Sequence, residues 1–165
     1  MNPTAQPSDH PDQTRPFAQA TKSTLEVVAG ILWRKKATGG EILFAERPVG
    51  KVYAGFLEFP GGKCEPNETR EQALKRELKE ELSIEATTLH FWRTTHFDYP
   101  HAWVNLHFFW VDAWQGQTIP QEGQNLFWQD WETPFSDRVL PATLPLESAL
   151  RHDLILHQDQ IPQSK

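Results

Sequence analysis

The segment from Gly61 to Ile84, GGKCEPNETREQALKRELKEELSI, constrains the fold more than any other. A turn-prone, glycine-led stretch feeds a predicted helix carrying Arg76, Glu77, Glu80 and Glu81. Thr69 suits the N-cap, and Gln72, three residues on, completes a capping-box pattern. Gln, Ala, Leu, Lys, Arg and Glu fill the following turns, all good helix formers. At about 100° per residue, Glu77, Glu80 and Glu81 fall within an arc of about 100°, with Leu74, Leu78 and Leu82 as an apolar stripe beside it. One face can therefore pack on a sheet while its rim presents three carboxylates.

Adjacent carboxylates on a helix repel one another. A divalent cation removes the conflict. Hard oxygen ligands suit Mg²⁺ or Mn²⁺, and Mg²⁺ sites commonly join a few carboxylates to substrate phosphates. Lys75, Arg76 and Lys79 could equally make this a solvated, salt-bridged helix, and the helix alone leaves both readings open. The residues before it favour a ligand site. Gly61 and Gly62 follow Phe56-Leu57-Glu58-Phe59-Pro60, and paired glycines let the backbone approach a ligand closely. Glu68 precedes the helix, where its charge suits the dipole and its carboxylate could reach metal or water.

Gly62, Glu68 and the run Arg76-Glu77-Leu78-Lys79-Glu80-Glu81-Leu82-Ser83-Ile84 stand at the spacing of the Nudix box. The chain resembles the Nudix hydrolase family over roughly residues 22–150. Ser83 stands where the family pattern has glycine, a common left-handed helix cap. The resemblance implies an α+β (mixed α/β) fold: an α/β/α sandwich with a mixed central sheet and a catalytic loop–helix–loop. Leu57 to Lys63, the Trp114-Gln115-Gly116-Gln117 turn, Glu122 to Gln124, the Trp128 strand and Leu140-Pro141-Ala142 resemble one branch of the family. That branch hydrolyses oxidised guanine nucleotides such as 8-oxo-dGTP to monophosphate and pyrophosphate, which cleans the nucleotide pool before DNA replication.

The resemblance also implies roles. Glu77, Glu80 and Glu81 match metal-binding carboxylates, Glu122 a further acidic residue near the metal, and Gly61 a glycine whose carbonyl can ligate it. Arg76 matches an arginine that orients a box glutamate. Arg47 and Lys63 match basic residues on the phosphate side, and Phe59 is a candidate for lining the base pocket. Thr143 stands where the resembled branch has asparagine. An amide donates and accepts on neighbouring atoms, whereas Thr143 offers one hydroxyl. It reads either as a base contact or as a turn residue. Metals polarise phosphate oxygens and lower the pKa of bound water. Glu77 is the first choice to orient or deprotonate that water, with Glu68 and Glu122 behind it. Two other classes stay open: a Nudix pyrophosphohydrolase for ordinary dNTPs, dinucleoside polyphosphates or nucleotide sugars, and a non-catalytic nucleotide-binding module.

The 165 residues suffice for one domain with a core, expected over residues 22–157 between polar tails at 1–21 and 158–165. Net charge of −6 argues against broad binding to duplex nucleic acid but not against a small phosphate substrate met by local Lys, Arg and metal. Cys64 is the single cysteine, so no intrachain disulfide forms. No apolar run approaches the length of a membrane span and no signal peptide is evident, so a monomer in the cytoplasm is expected. Strands are expected over Leu25–Trp33, Glu41–Glu46, Thr87–Thr95, Trp103–Asp112 and Leu126–Trp131, with turns at Phe97–His101 and a loop at Trp114–Gln124. His107 reads as a hydrogen-bonded strand residue. A proline-punctuated loop from Pro134 to Pro145 leads into a final helix over Pro145–Leu156.

Overall fold

The computed structural model describes residues 22–100 and 102–159. The expected tail at 1–21 and most of the one at 158–165 lie outside them. The strands are β1 (Ser23–Lys35), β2 (Gly40–Glu46), β3 (Leu57–Glu58), β4 (Gly61–Lys63), β5 (Glu85–Tyr99), β6 (Ala102–Gln115) and β7 (Leu126–Asp130). The helices are α1 (Arg70–Leu82) and α2 (Glu147–Gln158), the latter entered through a 3₁₀ turn at Leu144–Leu146.

β1 organises the sheet. It runs parallel to β6 from Ser23 opposite Ala102 to Leu32 opposite Val111. On its other edge it changes partner, with Val27–Ala29 facing β4 and Trp33–Lys35 facing β2. All other pairings between these strands are antiparallel, so the sheet is mixed, in the order β3-β2-β1-β6-β5 with β4 on β1 and β7 on β2.

Strand alternation sends successive side chains to opposite faces. Val28 and Leu32 of β1 and Phe109 and Val111 of β6 pack under Leu74, Leu78 and Leu82 of α1. Ala29, Ile31 and Trp33 of β1 and Phe108 and Trp110 of β6 face the other way, onto Leu150 and Leu154 of α2. The three α1 leucines are fully buried, each contributing about 1.5–3 kcal/mol of apolar burial. At Gly30 a Cβ would crowd Val111 and the Leu74 methyl, so glycine lets α1 sit close to the sheet. This is the sandwich expected from the sequence.

Several boundaries differ. Gly61–Lys63 is a strand, because β1 supplies a pairing edge that no local preference announces. β5 runs through Phe97 to Tyr99 where a turn was expected, held by a ladder with β6 that extends to Tyr99 opposite Ala102. β6 likewise continues through Trp114 and Gln115. Pro145 lies in the 3₁₀ turn, so α2 begins at Glu147, and it continues one residue past the expected domain end at 157.

Candidate active site

The capping box forms as expected. Thr69 Oγ1 accepts from the Gln72 backbone N–H and the Gln72 side chain accepts from the Thr69 N–H, fixing the start of α1. At its other end Ser83 takes the left-handed conformation, φ 57° and ψ 28°, and its N–H reaches the carbonyls of Leu78 and Lys79. Serine thus makes the same turn a glycine would make.

The last carbonyls of a helix lack intrahelical partners. Here a loop following β6 satisfies them. Ile119 N–H donates to the Leu82 carbonyl at 2.9 Å, Gln121 N–H to that of Glu81 at 2.9 Å, and Gln124 Nε2 to the same oxygen at 3.1 Å. These bonds bring Glu122 to the carboxylate end of α1.

Glycine geometry then brings β4 against the helix. Gly61 has φ 150°, and a Cβ there would overlap the Val28 carbonyl. A Cβ on Gly62 would overlap the Glu77 carboxylate. The close approach lets Gly61 N–H donate to Glu81 Oε2 at 3.0 Å.

Four carboxylates lie in one neighbourhood here, with Glu77 and Glu81 from α1, Glu122 from the loop and Glu58 from β3, and the charges of the other three all act on Glu81. Desolvation pushes Glu81 up to about 8; its Gly61 hydrogen bond opposes this, and the charges of Glu58, Glu122 and Glu77 reinforce it. Burial likewise raises Glu58, against the pull of Arg47. Nothing in the local sequence assigns Glu58 a site role. Its only signal was an acidic residue between apolar Leu57 and Phe59 just before two glycines.

Arginine and lysine side chains fix the geometry around this centre. Arg76 Nη2 and Nε hold Glu68 at 2.7 and 3.1 Å, Nη1 reaches Glu77 at 2.9 Å and Glu80 at 3.3 Å, and Nη2 also donates to the Lys63 carbonyl. Glu68 is further held by the Glu65 N–H, and both contacts keep its carboxyl below the usual range. Glu68 therefore acts as an anchor for Arg76. Glu80, with 59% of its side chain exposed, meets the group through Arg76 at 3.3 Å. Arg47 pairs with Glu58 and donates to the Val52 carbonyl, securing the loop over residues 48–56. That loop carries Lys51, whose ammonium lies 2.8 Å from Glu122. No local pattern in the sequence marks Lys51 as a site residue. Lys63 is exposed beside Gly62.

Two expected substrate contacts lie deeper. Phe59 is 4% exposed and stacks on Phe44 with centroids 4.9 Å apart, edge-on to Phe108 and Phe135. It belongs to the core rather than to an open base pocket, because strand alternation turns it inward from Glu58. Thr143 is buried, donates its N–H to the Leu140 carbonyl at 2.8 Å and accepts from Leu146 N–H at 2.9 Å, so it shapes the turn before α2. His107 bridges Thr94 Oγ1 and Glu26 within the sheet, as expected of a strand residue.

The donor set is oxygen-rich, concentrated and partly desolvated, which fits a hard divalent cation. Fold and site together define a carboxylate-rich centre on a loop–helix–loop at the edge of a mixed sandwich. The model of the NUDIX domain matches residues 24–149, and the chain belongs to that family. It is 37% identical over 125 residues to the 8-oxo-dGTP diphosphatase of Haemophilus influenzae, spanning 76% of this chain and 90% of that protein. It is 39% identical over 125 residues, with the same 76% and 90% coverage, to the CTP pyrophosphohydrolase of Escherichia coli. Among solved structures, one from a study of MutT from Aliivibrio salmonicida and Vibrio cholerae superposes with TM-score 0.67 at 34% identity, covering 79% of this chain and 99% of that one.

Proposed function

We propose that this chain is a Mg²⁺-dependent pyrophosphohydrolase that converts 8-oxo-dGTP and related nucleoside triphosphates to monophosphate and pyrophosphate. The reading rests on one observation above others: Glu77 and Glu81 lie against the Gly61–Gly62 backbone, and burial together with the charges of Glu58, Glu122 and Glu77 disfavours an ionised Glu81 that a cation would stabilise. Similarity to a named 8-oxo-dGTP diphosphatase over most of its length supports the substrate.

Glu77, Glu81, Glu58 and Glu122 would hold the ion, with Glu80 reached through a rotamer change. Bound there, Mg²⁺ or Mn²⁺ supplies charge neutralisation of the triphosphate and acidifies water. Glu77 orients or deprotonates the attacking water, and the Arg76–Glu68 pair keeps Glu77 in place. Arg47, Lys51 and Lys63 lie on the side from which phosphates approach. Thr143, buried in the turn before α2, contributes to base choice through the shape of that turn. The enzyme works on free nucleotides as a monomer.

Similarity to a CTP pyrophosphohydrolase favours a second reading, in which a pyrimidine nucleotide is preferred. Comparing kcat/KM for 8-oxo-dGTP, dGTP, CTP and dCTP with Mg²⁺ decides between them. A clear preference for 8-oxo-dGTP upholds the first reading. Preference for CTP or dCTP transfers the assignment to the second, and absence of pyrophosphate release from all four overturns both.

A further inference from the structure

On the opposite face of the sheet, a carboxylate and two imidazoles meet from three elements. Asp112 of β6 has a side chain only 2% exposed. His157, in the last turn of α2, places Nε2 2.7 Å from Asp112 Oδ1, and His90 of β5 places Nδ1 against Oδ2. One ligand atom from each residue lies within 4.8 Å of the others. Among the described residues no Lys or Arg pairs with Asp112, so its charge is met only by these rings and the Trp33 indole N–H at 2.7 Å.

The backbone is shaped to make this meeting. Leu89 stands opposite Val111 and Thr88 opposite Ala113, so Asp112 is the extra residue of a bulge. Register shifts fall on both sides of His90, between Thr88 and Leu89 and between Phe91 and Arg93. Bulges re-aim side chains and concentrate at functional sites. The His157 ring is also held, stacked on Trp110 at 5.0 Å and 19°, with Trp33 edge-on at 6.2 Å.

We propose that His90, Asp112 and His157 form a binding site for a borderline transition-metal ion, best suited to Zn²⁺, on the α2 face of the sheet. Two imidazole nitrogens and one carboxylate oxygen are a donor set that Zn²⁺ takes up, with water at a fourth position. Mg²⁺ prefers oxygen alone, so the two faces sort ions by ligand chemistry. Zinc–ligand bonds of about 2.0–2.2 Å set tetrahedral ligand atoms about 3.3 Å apart. The rings need only a small retreat from hydrogen-bonding distance, and exposed His90 is free to make it. A neutral imidazole shifts its proton to the other ring nitrogen and presents a lone pair to the ion. The Trp33 indole orients the carboxylate, as outer hydrogen bonds orient metal ligands elsewhere.

The test is calorimetric titration of Zn²⁺ into the untagged full-length chain under a large excess of Mg²⁺, with Co²⁺ absorption as a spectroscopic probe. One Zn²⁺ should bind per chain. Losing an outer hydrogen bond to a ligand already costs about 10–100-fold in metal affinity, so His90→Ala, which removes a ligand, should cost on the order of 100-fold or more. The side chain of His90 is 55% exposed, so this variant keeps its fold; circular dichroism confirms that, and Mg²⁺-supported hydrolysis should be unchanged. Asp112→Asn should also lose the site, whereas exposed His152→Ala and Glu77→Gln should retain it. Zn²⁺ should raise the Tm of the native chain and not that of His90→Ala. Absence of Zn²⁺ binding under Mg²⁺ excess, or native affinity in His90→Ala, overturns the assignment.

Discussion

The two faces of the sheet handle buried negative charge differently. On the α1 face four carboxylates act on one another's charge and are steadied from outside by Arg76, Arg47 and Lys51. On the α2 face a single carboxylate sits beneath two imidazoles and an indole. The first arrangement holds an ionisable carboxyl under desolvation and like charge, which a hard cation would relieve. The second is already satisfied by hydrogen bonds, so any ion must displace good contacts and bring stronger ones. The contrast teaches that burial combined with neighbouring like charge, rather than burial alone, distinguishes the α1 side.

Breaking the carboxylate side should have the largest consequence. Glu77→Gln keeps the side-chain volume and removes the charge, so turnover of 8-oxo-dGTP should fall about 10³–10⁴-fold with the circular dichroism spectrum unchanged. Near-native turnover would remove Glu77 from both its roles.

Protonation sharpens the comparison next. Folded Glu81 titrates near 8 because of burial, above its ordinary value of 4.5. The native chain therefore holds a proton that the unfolded chain releases, so without metal its stability is greatest below about pH 4.5 as far as this group decides. That contribution is lost as pH rises towards 8, by of order 4 kcal/mol. Urea unfolding across that range should show the loss without metal and its recovery with Mg²⁺. Glu81→Gln should flatten the dependence, and a flat native profile would contradict the raised titration of Glu81.

Equivalent cavities on the two faces come third. Leu78 and Leu150 are both fully buried, beneath α1 and α2 respectively. Replacing either with Ala should cost about 2–5 kcal/mol in denaturant unfolding. Only Leu78→Ala should also lower kcat, because it loosens the helix that holds Glu77 and Glu81. Equal kinetic damage from both would show that the faces are mechanically coupled.

The smallest effect is expected at the helix cap. Ser83→Gly relieves a left-handed residue and should raise stability by about 0.5 kcal/mol, with kcat unchanged. A change in kcat there would mean that the cap tunes the site as well as ending the helix.

The sequence made α1 readable in detail, because its cap, propensities and leucine stripe are local properties. Glu77 and Glu81 followed from that periodicity and Glu122 from resemblance. Glu58 and Lys51 did not, since only tertiary closure of β3 and the loop over residues 48–56 brings them to α1. The strand Gly61–Lys63 was hidden because glycine carries little strand preference and the partner edge lies in β1. Phe59 shows as a core residue only through its packing on Phe44, Phe108 and Phe135, which lie far from it in sequence. The meeting of His90, Asp112 and His157, separated by 22 and 45 residues from the central aspartate, depends on bulges that no local pattern announces.

The exchange of partners along β1 has a consequence for how the chain is made. Its hairpin with β2 is available as soon as both have left the ribosome, but the strand against which it lies longest begins at Ala102. Until β6 is synthesised, the other edge of β1 stays uncovered, with Val28, Ile31 and Leu32 beside it. Non-local parallel pairing of this kind slows folding and leaves nascent chains open to aggregation. A ribosome stalled between α1 and β6 would therefore display the very surface that a holding chaperone recognises.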